Sequence, residues 1–214
     1  MLPPLRARTA AAVAAAGLAA LLGAPAFADV LVDNPGAPQV GSGNRAFAAS
    51  WTQLSDYDDV SITAALFGVG VPGVTATAWL TTSIGLSASM DDVVATAPIT
   101  STTLFEGLDL GAGTYYLVTM FQSGSVAAGW RANDGTAMVS APDVTPGGSY
   151  LGPFLSFPAF GPSADFAPYP SQLIYSVQGV PAVPEPATLA MFAAGLAGLW
   201  GVRRARDARS AGPR

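Results

Sequence analysis

The chain has 214 residues, with 14 acidic and 9 basic side chains and a formal net charge of −5; cysteine, histidine and lysine are all missing. That inventory excludes disulfide scaffolds, Ser-His-Asp and Cys-His nucleophiles, Schiff-base lysines and the usual His/Cys zinc centres. Between Asp29 and Pro186 there are 13 acidic residues and only Arg45 and Arg131 as bases, net −11, so this stretch repels nucleic acid and anionic lipid.

Met1–Ala28 has the layout of a signal peptide. Arg6 and Arg8 form a basic start, Ala10–Leu22 is apolar, and Ala26-Phe27-Ala28 supplies a small-x-small cleavage site before Asp29. A first transmembrane helix fits less well, because the apolar run is short and the cleavage site is clear. Signal peptidase and the export machinery are therefore expected partners, and residues 29–182 are expected to form one domain with its own core. Missing disulfides do not contradict export for a domain of this size.

Within that domain, short β-branched and aromatic runs alternate with Gly, Pro, Asn and Asp, and no amphipathic helix emerges. Arg45–Leu54 reads as a strand with Phe47, Ala49 and Trp51 on one face. Val60–Phe67 places Val60, Ile62, Ala64 and Leu66 together. Thr75–Thr82 groups Thr75, Thr77, Trp79 and Thr81 opposite Ala76, Ala78 and Leu80. Pro98–Leu104 reads as an edge strand. Leu108–Gln122 gives the strongest signal, turning through Gly111-Ala112-Gly113 into Thr114–Phe121, and Tyr115 after this corner resembles the tyrosine-corner arrangement of Greek-key sandwiches. Ser125–Ala132 and Thr136–Ser140 flank Asn133-Asp134-Gly135, which favours a tight hairpin. Pro142–Pro170, rich in Pro, Gly and aromatics, reads as a long loop, and Gln172–Gly179 as a closing strand before the linker Val180–Val183. The fold class expected is all-β, a two-sheet β-sandwich of jelly-roll or Ig-like topology.

Three kinds of site are open to these residues. Asp56, Asp58 and Asp59 offer oxygen ligands for a structural Ca²⁺, to which Asp91 and Asp92 add more; the alternative is a solvated acidic turn. No other cofactor is expected. Trp79 and Trp130 offer rings for stacking on sugars, as in a lectin-like module, against the alternative of core packing. Asp56, Asp58, Asp59, Asp91, Asp92, Glu106 and Asp109 would supply a carboxylate pair for glycan hydrolysis only if folding brought two of them across a cleft. The reading adopted is that the protein is not an enzyme. No regular Thr-x-Thr ladder suits an ice-binding face.

The C-terminal stretch carries the clearest signal. Pro184 and Pro186 bracket Glu185 and keep the backbone extended. Ala187–Val202 is uncharged, and as a helix it would span roughly 24 Å, short of the ~30 Å hydrocarbon core. Trp200 and then Arg203, Arg204, Arg206 and Arg209 follow, and the positive-inside rule keeps those arginines cytoplasmic. A plain membrane anchor shares most of these features but needs no Pro-Glu-Pro in front of it. Val183-Pro184-Glu185-Pro186-Ala187-Thr188-Leu189, a short apolar helix and an arginine cluster together resemble the PEP-CTERM sorting domain of Gram-negative bacteria, over residues 183–209. The resemblance implies an exosortase, a membrane-embedded cysteine transpeptidase that would cut near Pro184-Glu185-Pro186 while Arg203 and Arg204 hold the transient inner-membrane helix. It also implies a cell-surface or extracellular destination and an association with exopolysaccharide and biofilm. It assigns no activity to residues 29–182.

Overall fold

Alternating β-branched or aromatic and small polar residues make extended backbone, and burying one face of each strand stabilises it. The computed structural model describes residues 28–35, 45–123, 128–134, 138–154, 161–182 and Gly195. The expected signal peptide through Phe27, including Ala26, and the expected helix over 187–202 apart from Gly195 lie outside them. Among the described residues, no helix is long and apolar enough to cross a membrane.

Phe27–Ala182 forms one compact unit. Its strands, in chain order, are β1 (Asp29–Asp33), β2 (Arg45–Gln53), β3 (Tyr57–Ala64), β4 (Leu66–Phe67), β5 (Val74–Thr81), β6 (Val93–Pro98), β7 (Thr103–Leu110) and β8 (Gly113–Ser123). There follow β9 (Gly129–Trp130), β10 (Ala132–Asn133), β11 (Val139–Ser140), β12 (Val144–Phe154), β13 (Ala167–Tyr169), β14 (Gln172–Leu173) and β15 (Tyr175–Pro181). One sheet runs β11-β1-β15-β3-β7 and the other β13-β12-β2-β8-β5-β6, with two-stranded ladders β10-β14 and β4-β9 beside them. Every pairing is antiparallel. With β11, β12 and β13 set aside, β1-β15-β3-β7 and β2-β8-β5-β6 follow the nested order of a jelly roll, first strand beside last.

The core lies between the two large sheets. Phe47, Ala49 and Trp51 of β2 face it as their alternation predicts, with Ala78 and Leu80 of β5, Leu117 and Phe121 of β8, and Val60 and Ile62 of β3. The outer face of the six-stranded sheet is also covered. Ala48, Trp79, Val118 and Met120 form a second buried cluster there, with Ile84 and Phe166 packed against it. The segments that carry Ile84 and Phe166 are joined by a Gly85 N–H to Pro162 carbonyl bond of 2.8 Å.

Three sequence expectations give way. Pro98–Leu104 is not one strand: Pro98 ends β6, and Thr103 and Leu104 begin β7. Residues 99–102 cross between the sheets, the Ile99 N–H bonding the Ala76 carbonyl of one sheet and the Thr102 carbonyl accepting from the Ala64 N–H of the other. Among the described residues, the segments flanking Asn133-Asp134-Gly135 do not pair with each other as a hairpin. Ala132 and Asn133 pair with Leu173 and Gln172, whereas Val139 and Ser140 pair with Asp33 and Val32. The Pro142–Pro170 stretch contains the eleven-residue β12, which pairs with β2 on one side and β13 on the other. Its glycines obscure the strand pattern but serve the packing. A Cβ at Gly147 would overlap Ser50 Oγ, and one at Gly152 would stand 2.8 Å from the Ala46 Cβ. The register shift around Gly147 and Gly148 is the bulge that accommodates this approach.

Candidate functional site

The end of the sandwich from which the C-terminal segment departs is built by β2, β3, β7, β8, β12 and β15. Gln53 pairs with both Gly113 and Val144, and Tyr57 with both Leu110 and Pro181. The connections 54–56, 111–112 and 141–143 therefore converge there. Asp29 of β1 pairs with Gly179, so the first strand starts beside the end of the last.

Polar contacts lock this end. Gln53 continues the inward face of Phe47, Ala49 and Trp51, and is 1% exposed. Its Oε1 accepts from Trp51 Nε1 at 3.1 Å, and its Nε2 donates to the carbonyls of Ser55, Leu110 and Gly111. Tyr115 Oη donates to the Gly111 carbonyl at 2.8 Å, the four-residue tie that a tyrosine corner requires. Asp56 Oδ1 accepts from the Ala112 N–H at 2.7 Å, and the Asp56 carbonyl accepts from the Ala182 N–H at 2.9 Å. Asp56 thus joins the β7–β8 corner to the last residue of the fold.

Tyr57 Oη donates to Asp143 Oδ1 at 2.7 Å. Burial pushes the Tyr57 phenol up to about 12, with the Asp143 hydrogen bond and the Asp143 and Asp29 charges adding to it. Hydrogen bonds from Ser55 and then Tyr57 hold the Asp143 carboxyl below its usual range. The two shifts act at opposite ends of the pH scale. The raised Tyr57 contributes stability that is complete below pH ~10, its unfolded value, and is lost as pH climbs through about 12. The lowered Asp143 contributes stability present above pH ~4 and lost as pH falls through its folded pKa. In urea titrations across pH, Tyr57→Phe is expected to weaken both the alkaline and the acid decline; unchanged limbs would show that the pair is not coupled to folding.

The fold divides the Asp56–Asp59 carboxylates between a connection and a strand. Asp56 is engaged with Ala112, and Asp58 and Asp59 form a bulge in β3, between Tyr57 paired with Leu110 and Val60 paired with Leu108. Asp59 takes φ +51° there, which lets both Tyr57 and Val60 face the core. Opposite the bulge, a Cβ on Gly179 would stand 2.9 Å from Val60 Cγ2. Asp91 and Asp92 lie in a single 3₁₀ turn, Met90–Asp92, capped by Ser89. The Ser89 N–H donates to Asp92 Oδ2 at 2.8 Å, and this bond is the main cause of a lowered Asp92 carboxyl. Glu106 and Asp109 are exposed on β7. Among the described residues, no group of three or more His, Cys, Asp or Glu side chains is placed to hold a metal ion.

The two tryptophans are placed by packing. Trp130 is fully buried, with Nε1 donating to the Ile174 carbonyl at 2.7 Å and its ring edge-on to Tyr175, which leaves no ring face at the surface for a sugar. Trp79 keeps the register expected of it, opposite Ala78 and Leu80, yet is 8% exposed because that outer face carries the second cluster. Beside it, Tyr116 and Tyr150 remain half-buried with ring centroids 6.1 Å apart. Gln53, Tyr57 and Asp143 were not singled out from the sequence. The available signal was a glutamine at an inward position of the period-2 pattern.

Comparison with known proteins places a PEP-CTERM protein-sorting motif over residues 182–205, which takes in Pro184, Glu185, Pro186, Arg203 and Arg204; these five lie outside the described residues. No curated protein and no solved structure matches the chain. The match starts at Ala182, the residue whose N–H closes the fold against Asp56. The C-terminal segment of this chain is a PEP-CTERM protein-sorting motif, and it implies an exosortase as processing partner and export to the cell envelope or surface.

Proposed function

We propose that this is an exported, exosortase-processed protein of the surface or extracellular matrix of a Gram-negative bacterium, which associates with exopolysaccharide and biofilm and catalyses no reaction. The observation that carries the reading is the sorting motif at 182–205, abutting an all-β unit that ends at Ala182. On this reading the signal peptide starts export and the arginines after Val202 stop it. The apolar run 187–202 holds the chain in the inner membrane until exosortase cuts near Pro184-Glu185-Pro186. The residue inventory supports a non-catalytic domain, since the common nucleophile–base pairs need histidine, cysteine or lysine and this chain has none. The half-buried Tyr116–Tyr150 pair is the aromatic surface open to a carbohydrate reading of the same domain.

Replacing Pro184, Glu185 and Pro186 together with alanine is expected to leave a membrane-held precursor. Intact-mass analysis of the wild-type protein from the cell surface or medium should show a chain ending before Trp200. Normal release of the triple variant, or a mature chain that keeps Trp200 and the terminal arginines, would overturn the assignment.

A further inference from the structure

The folded unit reaches the sorting motif with no spacer. Pro181 is still paired with Tyr57, which is 3% exposed, and the Ala182 N–H is bonded to the Asp56 carbonyl at 2.9 Å. β15 lies between β1 and β3, so its position is set from both sides up to the Asp29–Gly179 pair and from β3 beyond it. Glu185 is three residues after Ala182. An extended chain covers at most ~3.6 Å per residue, so a three-residue tether from that fixed point reaches no farther than about 11 Å. This is about the diameter of one helix with its side chains. A protein that grips Pro184-Glu185-Pro186 therefore meets the end of the sandwich, unless β15 first peels away from β3.

That end has a distinct surface. Leu54, between β2 and β3, is 75% exposed, and its N–H is held by the Asp143 carbonyl at 3.0 Å. Asp29, Asp56 and Asp58 are exposed around it. From the chain length beyond Ala182 and the intact β15–β3 pairing, we infer that this end of the domain, with Leu54 at its tip, docks on the outward-facing surface of the membrane-embedded exosortase while the motif is bound. This inference rests on the processing reading above. The complementary surface offers an apolar contact for Leu54 and hydrogen-bond donors or basic groups for the surrounding carboxylates.

The test uses the full-length chain in cells with its exosortase. A photo-crosslinking amino acid is placed at Leu54, and at Val71 as the control. Val71 precedes β5, whose Val74 pairs with Ser123 at the far end of β8 from Gly113. The fold tolerates the change at 54 because Leu54 is held through its backbone. Position 54 is expected to give an exosortase adduct several-fold stronger than position 71. A Gly-Ser linker inserted between Ala182 and Val183 is expected to reduce the position-54 adduct to the control level while the motif is still processed. Equal adducts at 54 and 71, or a position-54 adduct that the linker does not weaken, would overturn the docking surface. The Pro184, Glu185 and Pro186 triple-alanine variant separates the two claims. If it blocks processing while position 54 of the chain with the intact motif fails to crosslink, only the docking surface falls; if it is processed normally, the processing reading itself falls.

Discussion

Trp51→Ala is expected to lower the unfolding free energy of the purified protein by about 3–5 kcal/mol, the cost of truncating a fully buried tryptophan. Trp51 lies where the two sheets meet. Its ring stacks on Tyr115 of its own sheet at 5.8 Å and 29°, and packs on Tyr175 of the opposite sheet at 6.1 Å. Tyr175 Oη in turn donates to the Ser50 carbonyl at 3.0 Å, so the tryptophan supports a polar tie between the sheets as well as apolar contact. A domain of this kind has a total stability of roughly 5–15 kcal/mol, so the loss would leave it marginal at physiological temperature. Urea unfolding followed by Tyr fluorescence measures it. A decrease below about 1 kcal/mol would mean that the sheets are held chiefly elsewhere.

Gln53→Leu is expected to cost about 2–3 kcal/mol although leucine is more apolar and fills similar space. The glutamine amide is the partner of the Trp51 indole N–H and of the Leu110 and Gly111 carbonyls, and its bonds to Trp51 and Leu110 are buried. Leucine leaves the buried Trp51 indole N–H without its acceptor and removes the amide donor from the Leu110 carbonyl, while the Gly111 carbonyl keeps Tyr115 Oη; the lost pairing costs more than the added apolar contact returns. A double-mutant cycle with Trp51→Phe isolates the indole share, because phenylalanine keeps a ring but has no N–H to satisfy. Gln53→Leu is expected to be less harmful in that background. Equal cost in both backgrounds would place the whole effect at the β7–β8 corner.

Much of the strand content was legible locally. The alternation in Arg45–Leu54 and Thr75–Thr82 sorted the residues of β2 and β5 onto their two faces correctly, because a one-residue slip would reverse every side chain. The tyrosine corner was legible too, since its hydrogen bond closes over only four residues. β12 was not. Pro146, Gly147, Gly148 and Gly152 break its local pattern, and the pairing that makes it a strand comes from β2, about a hundred residues earlier. The hairpin expected at Asn133-Asp134-Gly135 gives way for the same reason among the described residues, as Ala132, Asn133, Val139 and Ser140 find partners far along the chain. Trp79 shows the limit of face assignment: its side of β5 was right, but a second covered face was not visible in a period of two.

The sorting signal was legible without the fold, and it implies export to the cell envelope or surface. Pro184-Glu185-Pro186, the uncharged run after it and the arginines form one contiguous motif, so every part of it lies within a single short stretch of sequence. The sequence by itself also determined that the domain would be all-β, because periodicity and turn chemistry are local properties. Tertiary structure alone decided the nesting of β1 beside β15, the burial of Trp79 and Trp130, the dispersal of the acidic residues, and the convergence of Gln53, Asp56, Asp143 and Ala182 at one end. Those features depend on contacts between residues tens to more than a hundred positions apart, and no local pattern records which distant strand will meet which.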